Sequence, residues 1–393
     1  MSDWQEITLG WLFSADNSKL GAHTDEPTVM SLSKYDGFIR SDDYFDKRIA
    51  SEKLDGYKTV EPGEWAYSTI HIDEGSIARN NLGETGVISP MYTTLRWCGE
   101  GTALPEYAEL LVRSPRMLAE YTNNAQGSVN RRRSLPFKTF SAIPITLPPL
   151  AVQERIVEII CAVDDQITAL DNEARALDGV YRGFLLSLGT RYGEVKISEV
   201  VSRAFAGGTP SRSNPEFYGG DIPWLKSGEV ENDSIVTASE FITEAGLQGS
   251  NAKMVPPGAT VVAMYGQGDT KGRAGFVEAS VATNQAVLAL VPDERLVLPR
   301  FLLHAVRSKT DDLRHRAVGS SQPNLSKGLV VSQTIPMPDS LADQERALAA
   351  VDSVRATQAA TLAEADRLRT VRASLVSGLL DRTINIESAE LEV

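Results

Sequence analysis

The chain has 393 residues, 42% of them hydrophobic, enough for substantial cores in two or three domains, and its net charge is −13. That balance excludes indiscriminate binding to nucleic acid, although the excess is uneven: residues 1–149 carry −5, 150–190 carry −4, 191–340 only −1 and the tail from Asp381 −3. Two cysteines, Cys98 and Cys161, expected as buried free thiols, and four scattered histidines exclude a disulfide framework and a zinc site of recognisable spacing. With no basic-then-apolar leader and no run of about 20 apolar residues, a cytoplasmic location without membrane attachment is expected.

From the N-terminus, Trp4-Gln-Glu-Ile-Thr-Leu alternates polar and apolar residues and suits a short strand; Val60-Glu-Pro-Gly-Glu-Trp-Ala-Tyr predicts a turn feeding another. Pro105 to Ser114 (PEYAELLVRS) reads as a helix that starts at proline, a residue tolerated in a first turn. A loop opened by Asn123-Asn124 holds the densest cationic run, Arg131-Arg132-Arg133, for which phosphate contact and a solvated face both stay open.

From Leu150 to Leu188, Ile160, Val163, Ile167, Leu170, Ala174, Leu177, Tyr181, Phe184 and Leu188 step by alternating threes and fours, one apolar seam along a helix. Such a helix is about 57 Å long and needs a partner.

From Tyr192 the plan repeats. Tyr192-Gly-Glu-Val-Lys-Ile matches the opening strand, Val255-Pro-Pro-Gly-Ala-Thr-Val-Val the turn and strand, and Pro299 to Ser308 (PRFLLHAVRS) the helix. Between these anchors Ser31 to Tyr57 is rich in Asp, Tyr and Ser, whereas Gly207 to Gly228 is rich in glycine, proline and small polar residues; unlike inserts on one frame suggest two different ligands.

The second helix, Leu341 to Leu379, aligns with the first at an offset of 191 and shares Gln153/Gln344, Glu154/Glu345, Arg155/Arg346, Val163/Val354, Glu173/Glu364, Ala174/Ala365, Leu177/Leu368, Val180/Val371 and Leu188/Leu379. Pairing of the two helices within one chain is the economical reading, with Gln358, Thr361 and Arg372 interrupting the seam and fixing its register. A helix of some larger bundle, or a dimerisation arm, is the alternative.

No catalytic centre emerges. Asn214-Pro215-Glu216-Phe217 matches the base-holding tetrad of amino-methyltransferases poorly, having Glu in third place and no cofactor-binding strand and glycine turn beside it. Tyr265-Gly-Gln-Gly-Asp-Thr-Lys-Gly lacks the spacing of a phosphate loop.

The stretch GGTPSRSNPEFYGGDIPWLKSGEV, the later ATNQAVLAL from Ala282, and the junctions LPPLAVQERIV and PDSLADQERAL resemble the specificity subunit of type I restriction–modification systems over essentially the whole chain. In the first module, SLSKYDGF, PGEWAYS and ARNNLGETGVISPMY are similar to another common variety of that family's target-recognition domain. One departure is Asp339-Ser340 at the second junction where the first has Pro148-Pro149.

The resemblance implies an α/β (α+β) fold with two similar target-recognition domains, each a twisted sheet with helices, separated by two long antiparallel coiled-coil helices in a pseudo-twofold arrangement. Expected boundaries are 1–147 and 191–338 for the domains, 148–190 and 339–384 for the spacer helices, and 385–393 for an acidic tail. It further implies a non-catalytic subunit that reads one half of a split double-stranded DNA site with each domain. The helices would dock two methyltransferase subunits, which the restriction subunits join, and Gln153, Glu154, Arg155, Gln344, Glu345 and Arg346 are the residues assigned to that contact. No cofactor of its own is expected; S-adenosylmethionine, ATP and Mg²⁺ would belong to the partners.

Two rigidly spaced readers can span half-sites one duplex turn apart, ~34–36 Å. Reading bases requires polar side chains at groove edges. Candidates in the first module are Tyr35, Arg40, Ser68, Arg79, Asn80, Tyr92, Arg131 and Arg132; in the second they are Thr209, Ser211, Arg212, Lys226, Ser227, Tyr265, Gln267, Lys271, Arg273, Asn284, Gln285 and Gln322. A solvated surface group or a loop-internal hydrogen bond is the competing role for each, and the pair Asn284-Gln285 is ranked as a strand-end cap slightly ahead of a base contact. The rival function is a non-catalytic protein-interaction scaffold or phage-defence adaptor on the same repeat, which the acidic balance favours.

Overall fold

The computed structural model describes residues 4–16, 18–20, 27–44, 54, 56–126, 133–230, 234–266, 270–318 and 324–386. By packing, the chain forms two units, Met1–Ala169 with Glu364–Val393, and Leu170–Ala363, so each unit takes one end of each long helix.

In the first unit the predicted opening strand, Gln5–Thr8, buries Ile7 and pairs antiparallel with Pro144–Leu147. A one-turn helix, Leu9–Leu12, follows with both leucines fully buried. The main sheet runs Phe13–Asp16, Tyr92–Trp97, Trp65–Ser68, Ile77–Arg79, antiparallel throughout. Its core is aromatic: Phe13 meets Trp65 edge-on at 5.1 Å and Tyr67 stacks on Phe140 at 4.9 Å, each pair contributing about 0.5–1.5 kcal/mol beyond its buried area. The helices Pro105–Val112 and Pro115–Asn124 bury Tyr107, Leu111, Met117 and Tyr121 in the same core. A smaller sheet runs Gly37–Arg40, Thr28–Ser33, Gly86–Ile88, Lys58–Val60, with a parallel pair at its centre.

The second unit repeats this plan strand for strand. Gly193–Lys196 pairs with Thr334–Met337, and the main sheet runs Val201–Ala206, Val287–Pro292, Thr260–Ala263, Ala274–Val277, with Ser234–Ile235 added at its edge. The smaller sheet runs Phe241–Ile242, Tyr218–Leu225, Val281–Thr283, Lys253–Val255, again with a parallel central pair. Its core is mainly aliphatic, around Val262, Leu288, Leu290, Leu302 and Leu303. The two inserts that look unlike in sequence thus occupy corresponding sheets and differ in side chains. At the shared proline-glycine turn, Gly63 and Gly258 have φ of 86° and 85°, a left-handed conformation costly for residues with a Cβ.

The long helices are Leu150–Arg191 and Leu341–Leu380. The predicted seam is real: Ile160, Ile167, Ala174, Tyr181 and Leu188 are buried, and Val163, Leu170, Leu177 and Phe184 half-buried. In the first unit Ile156 and Ile160 share a core with Val376 and Leu379, and Asp164 binds the Arg372 guanidinium through two oxygens. In the second, Tyr181 and Leu188 share a core with Ala347 and Val351, Gln358 Nε2 donates to the Ala174 carbonyl at 3.0 Å, and Arg355 lies 5.0 Å over the Tyr181 ring. Rising numbers on one helix meet falling numbers on the other, so they are antiparallel. Gln358 and Arg372, polar breaks in the seam, are cross-links between the helices.

Both junctions carry the same latch. Gln153 Oε1 accepts from Leu104 N–H at 2.9 Å while its Nε2 donates to Thr102 O at 3.1 Å and Pro148 O at 2.8 Å. Gln344 Oε1 accepts from Leu298 N–H at 2.8 Å and its Nε2 donates to Leu296 O at 2.9 Å. Leu104 and Leu298 cap the two proline-initiated helices, so each glutamine fixes one of them to the start of a long helix. The Ser340 that replaces proline caps the second long helix, accepting from Asp343 N–H at 3.2 Å.

At the other ends, Arg191 lies 5.5 Å over the ring of its neighbour Tyr192, and Arg382, at φ 66°, lies 3.7 Å over Trp4. Cys98 and Cys161 are free, as expected, but exposed, not buried; Cys161 falls on the outward side of the seam, one place past Ile160. Among the described residues no helix is long and apolar enough to cross a membrane.

Candidate nucleic-acid interface

In the second unit the loop Gly207 to Asn214 lies against the smaller sheet. A Cβ on Gly207 would come within 1.9 Å of Thr283 O, and one on Gly208 within 2.6 Å of Asn251, so these glycines serve close packing. Trp224 Nε1 donates to Gly208 O at 3.1 Å, Tyr218 Oη to Pro210 O at 2.5 Å, and Thr209 Oγ1 to Gln285 Oε1 at 2.6 Å. Ser211 and Ser213 share a hydrogen bond of 2.7 Å.

On this pinned loop stands Arg212, its guanidinium 4.2 Å over the Tyr218 ring and 5.5 Å over Trp224. Both its terminal nitrogens bind the Glu240 carboxylate, and Lys226 Nζ donates to the same group at 3.2 Å. Arg212 foremost, with Lys226, holds the Glu240 carboxyl below the usual range against a desolvation that pushes it up. Thr209, Ser211, Arg212, Lys226 and Gln285 are therefore brought together, and Ser227 opens the turn Ser227–Glu229 beside them. Tyr265, Lys271 and Arg273 belong to the adjoining turn, tied to it where Met264 N–H meets Ala286 O at 2.8 Å. Asn284 Oδ1 accepts from Ala286 N–H at 3.0 Å. Gln267 and Gln322 lie outside the described residues.

In the first unit Tyr35 sits 75% exposed at the tip of the hairpin Thr28–Arg40, and Arg113 donates to its carbonyl at 2.9 Å. Arg40 pairs with Glu84 at 2.6 Å and Arg79 with Glu106 at 2.7 Å. Tyr92 is half-buried and its carbonyl accepts from Lys58 Nζ at 2.6 Å. Asn80 is buried: its Nδ2 donates to Val60 O at 3.2 Å and Glu84 O at 2.9 Å, and its Oδ1 accepts from Leu82 N–H at 3.1 Å. Ser68 is buried in its strand, and Arg131 and Arg132 lie outside the described residues. A cleft of about 690 Å³ opens between Lys34–Phe38, Arg79, Glu109 and Arg113 on one side and Cys161, Asp164 and Arg372 on the other. Desolvation is the largest influence on both Glu109, pushed up, and Arg113, pushed down.

Of the residues assigned to a partner, Glu154, Arg155, Glu345 and Arg346 are exposed, Arg155 pairing with Glu158 at 3.0 Å and Arg346 with Asp343. Gln153 and Gln344 are 0% and 1% exposed, and their carboxamides are taken by the latch, which removes them from any surface a partner could touch. Sequence reasoning missed Glu240, Tyr218 and Trp224; an acidic residue is not sought on a DNA-facing surface, and no spacing marks a pair 28 positions apart. Among the described residues no group of three or more His, Cys, Asp or Glu is placed to hold a metal ion.

Residues 191–365 match the family model for the type I restriction modification DNA specificity domain. The chain is 26% identical over 222 residues to the Escherichia coli type I restriction enzyme EcoR124I/EcoR124II specificity subunit, covering 53% of this chain and only about half, 54%, of that subunit. It is 21% identical over 376 residues to the HindI specificity subunit of Haemophilus influenzae, covering 75% of this chain and 80% of the relative. A chain from a structural study of type I R-M system assembly superposes with a TM-score of 0.62 at 17% identity, covering 96% of this chain and 97% of that one, a likeness of fold. The chain thus carries a match to the type I restriction modification DNA specificity domain over residues 191–365 and is similar to type I restriction enzyme specificity subunits.

Proposed function

We propose that the chain is the sequence-specific DNA-recognition subunit of a type I restriction–modification complex, each unit reading one half of a bipartite site in double-stranded DNA. The observation that carries this reading is the pair of units with one strand order and different exposed polar side chains: Arg212 and Gln285 on one, Tyr35 and Arg40 on the other. Two frames of one kind with unlike surfaces suit two unlike half-sites, with base edges specifying and phosphates positioning. The long helices dock two methyltransferase subunits, which restriction subunits join, and the exposed Glu154, Arg155, Glu345 and Arg346 are available for that contact. Chemistry belongs to those partners, along with S-adenosylmethionine, ATP and Mg²⁺, in the cytoplasm. Orienting the duplex so that a partner can extrude an adenine needs no catalytic group here.

Selection from a random duplex pool, with and without the methyltransferase subunit, tests the reading. Enrichment of one gapped motif is expected, and methylome sequencing should show the same motif modified. Sequence indifference in both conditions would favour the scaffold reading, to which the net charge of −13 lends support. Methyl transfer by the pure chain would refute the division of labour.

A further inference from the structure

The Arg212–Lys226–Glu240 cluster is badly suited to phosphate. One carboxylate lies within 3.0 Å of Arg212 Nη2 and 3.2 Å of Lys226 Nζ, so an approaching phosphate oxygen would meet a third, negative group at close range. A neutral base edge suffers no such repulsion. The side chain of Arg212 is also fixed in advance, by the Glu240 fork and by Tyr218 4.2 Å beneath it, while remaining 59% exposed. Rotamer freedom otherwise lost on binding is already surrendered. Glu240 takes two of the five guanidinium N–H groups, and the others can donate outward. Its own position is set through the backbone, where Trp224 N–H donates to Glu240 O at 2.8 Å.

Resting on the reading that this unit binds DNA, we propose that Arg212 is a base-reading residue that donates to the N7/O6 edge of a guanine in the major groove. Glu240 is its positioning residue, fixing the fork and discouraging phosphate. Arginine on guanine is the commonest specific contact because the fork matches two acceptors on one edge.

The test uses the full chain in complex with its methyltransferase subunit, with motifs selected from a random duplex pool at one salt concentration. Wild type should enrich a gapped motif with a guanine in one half. Arg212→Lys, which keeps the charge and loses the fork, should cut the preference for that guanine about 10-fold or more. Glu240→Gln should weaken the same preference, leave the other half-site unchanged, bind random duplex more tightly and steepen its salt dependence, since one negative charge is gone. If both variants melt as wild type does and enrich the wild-type motif at every position, the inference is wrong and the DNA reading stands. Should Glu240→Gln fail to fold, Arg212→Lys decides alone. A wild-type complex that enriches no motif overturns the DNA reading and this inference with it.

Discussion

His304 shows how a buried polar group is tolerated and what it costs in acid. It is 5% exposed, its Nδ1 lies 2.8 Å from Tyr181 Oη, and Arg307 hydrogen-bonds that hydroxyl while donating to Ala274 O at 3.0 and 2.8 Å. Desolvation foremost pushes the imidazole down from 6.5 to about 4; Asp352 opposes this, and Arg355 and Arg300 reinforce it. Between those two values the unfolded chain binds the proton and the native one does not, so stability falls as pH drops from 6.5 toward 4 and is constant above. The loss is bounded at about 3–4 kcal/mol, from a shift worth about 1.4 kcal/mol per unit. His304→Gln should flatten the acid fall in urea midpoint relative to wild type; an unchanged acid limb would refute the assignment. At this scale Asn80 and Asn284 teach a related lesson, since a carboxamide near a loop is claimed first by the nearest unpaired backbone groups.

Among the elements, the latched junctions make the sharpest energetic statement. Gln344→Ala would leave Leu298 N–H and Leu296 O without their side-chain partner in a closed site, a loss of about 1–3 kcal/mol. Glu345→Ala, one residue away but exposed, should change stability by less than about 0.5 kcal/mol. Equal urea midpoints for the two variants would show that the latch carries no weight. These junctions also mark what a sequence can and cannot yield. The repeated Gln-Glu-Arg was visible, as were the heptad seam through Ile160 and Leu188, the proline-initiated helices and the glycine turns, because each follows from local periodicity or backbone restriction. That the glutamine faces inward while its two neighbours face outward depends on helix phase against a loop about 50 residues away. The same limit hid Glu240, which the pairing of Tyr218–Leu225 with Phe241–Ile242 helps bring to its partners. The predicted contrast between the two inserts was legible in composition, whereas their common strand order was not, because small-sheet pairing is non-local and short strands carry weak patterns.

For the whole molecule, each long helix contributes one end to each unit, so residues added midway along a helix enter between those ends. A matched insertion of seven residues in both helices preserves the heptad phase of the seam. Methylome sequencing should then find the gap between the two half-motifs changed and each half-motif retained; an unaltered gap would mean that helix length does not set it. Doubling has a further consequence at the place where its two copies are made differently. Arg191 and Tyr192 are successive residues, held by a peptide bond whatever their side chains do, whereas Arg382 and Trp4 meet with no covalent link between them. The same pairing of a cation with a ring is thus made inside one continuous segment in the second unit and between two separate segments in the first, where a cation–π contact contributes about 0.5–2 kcal/mol.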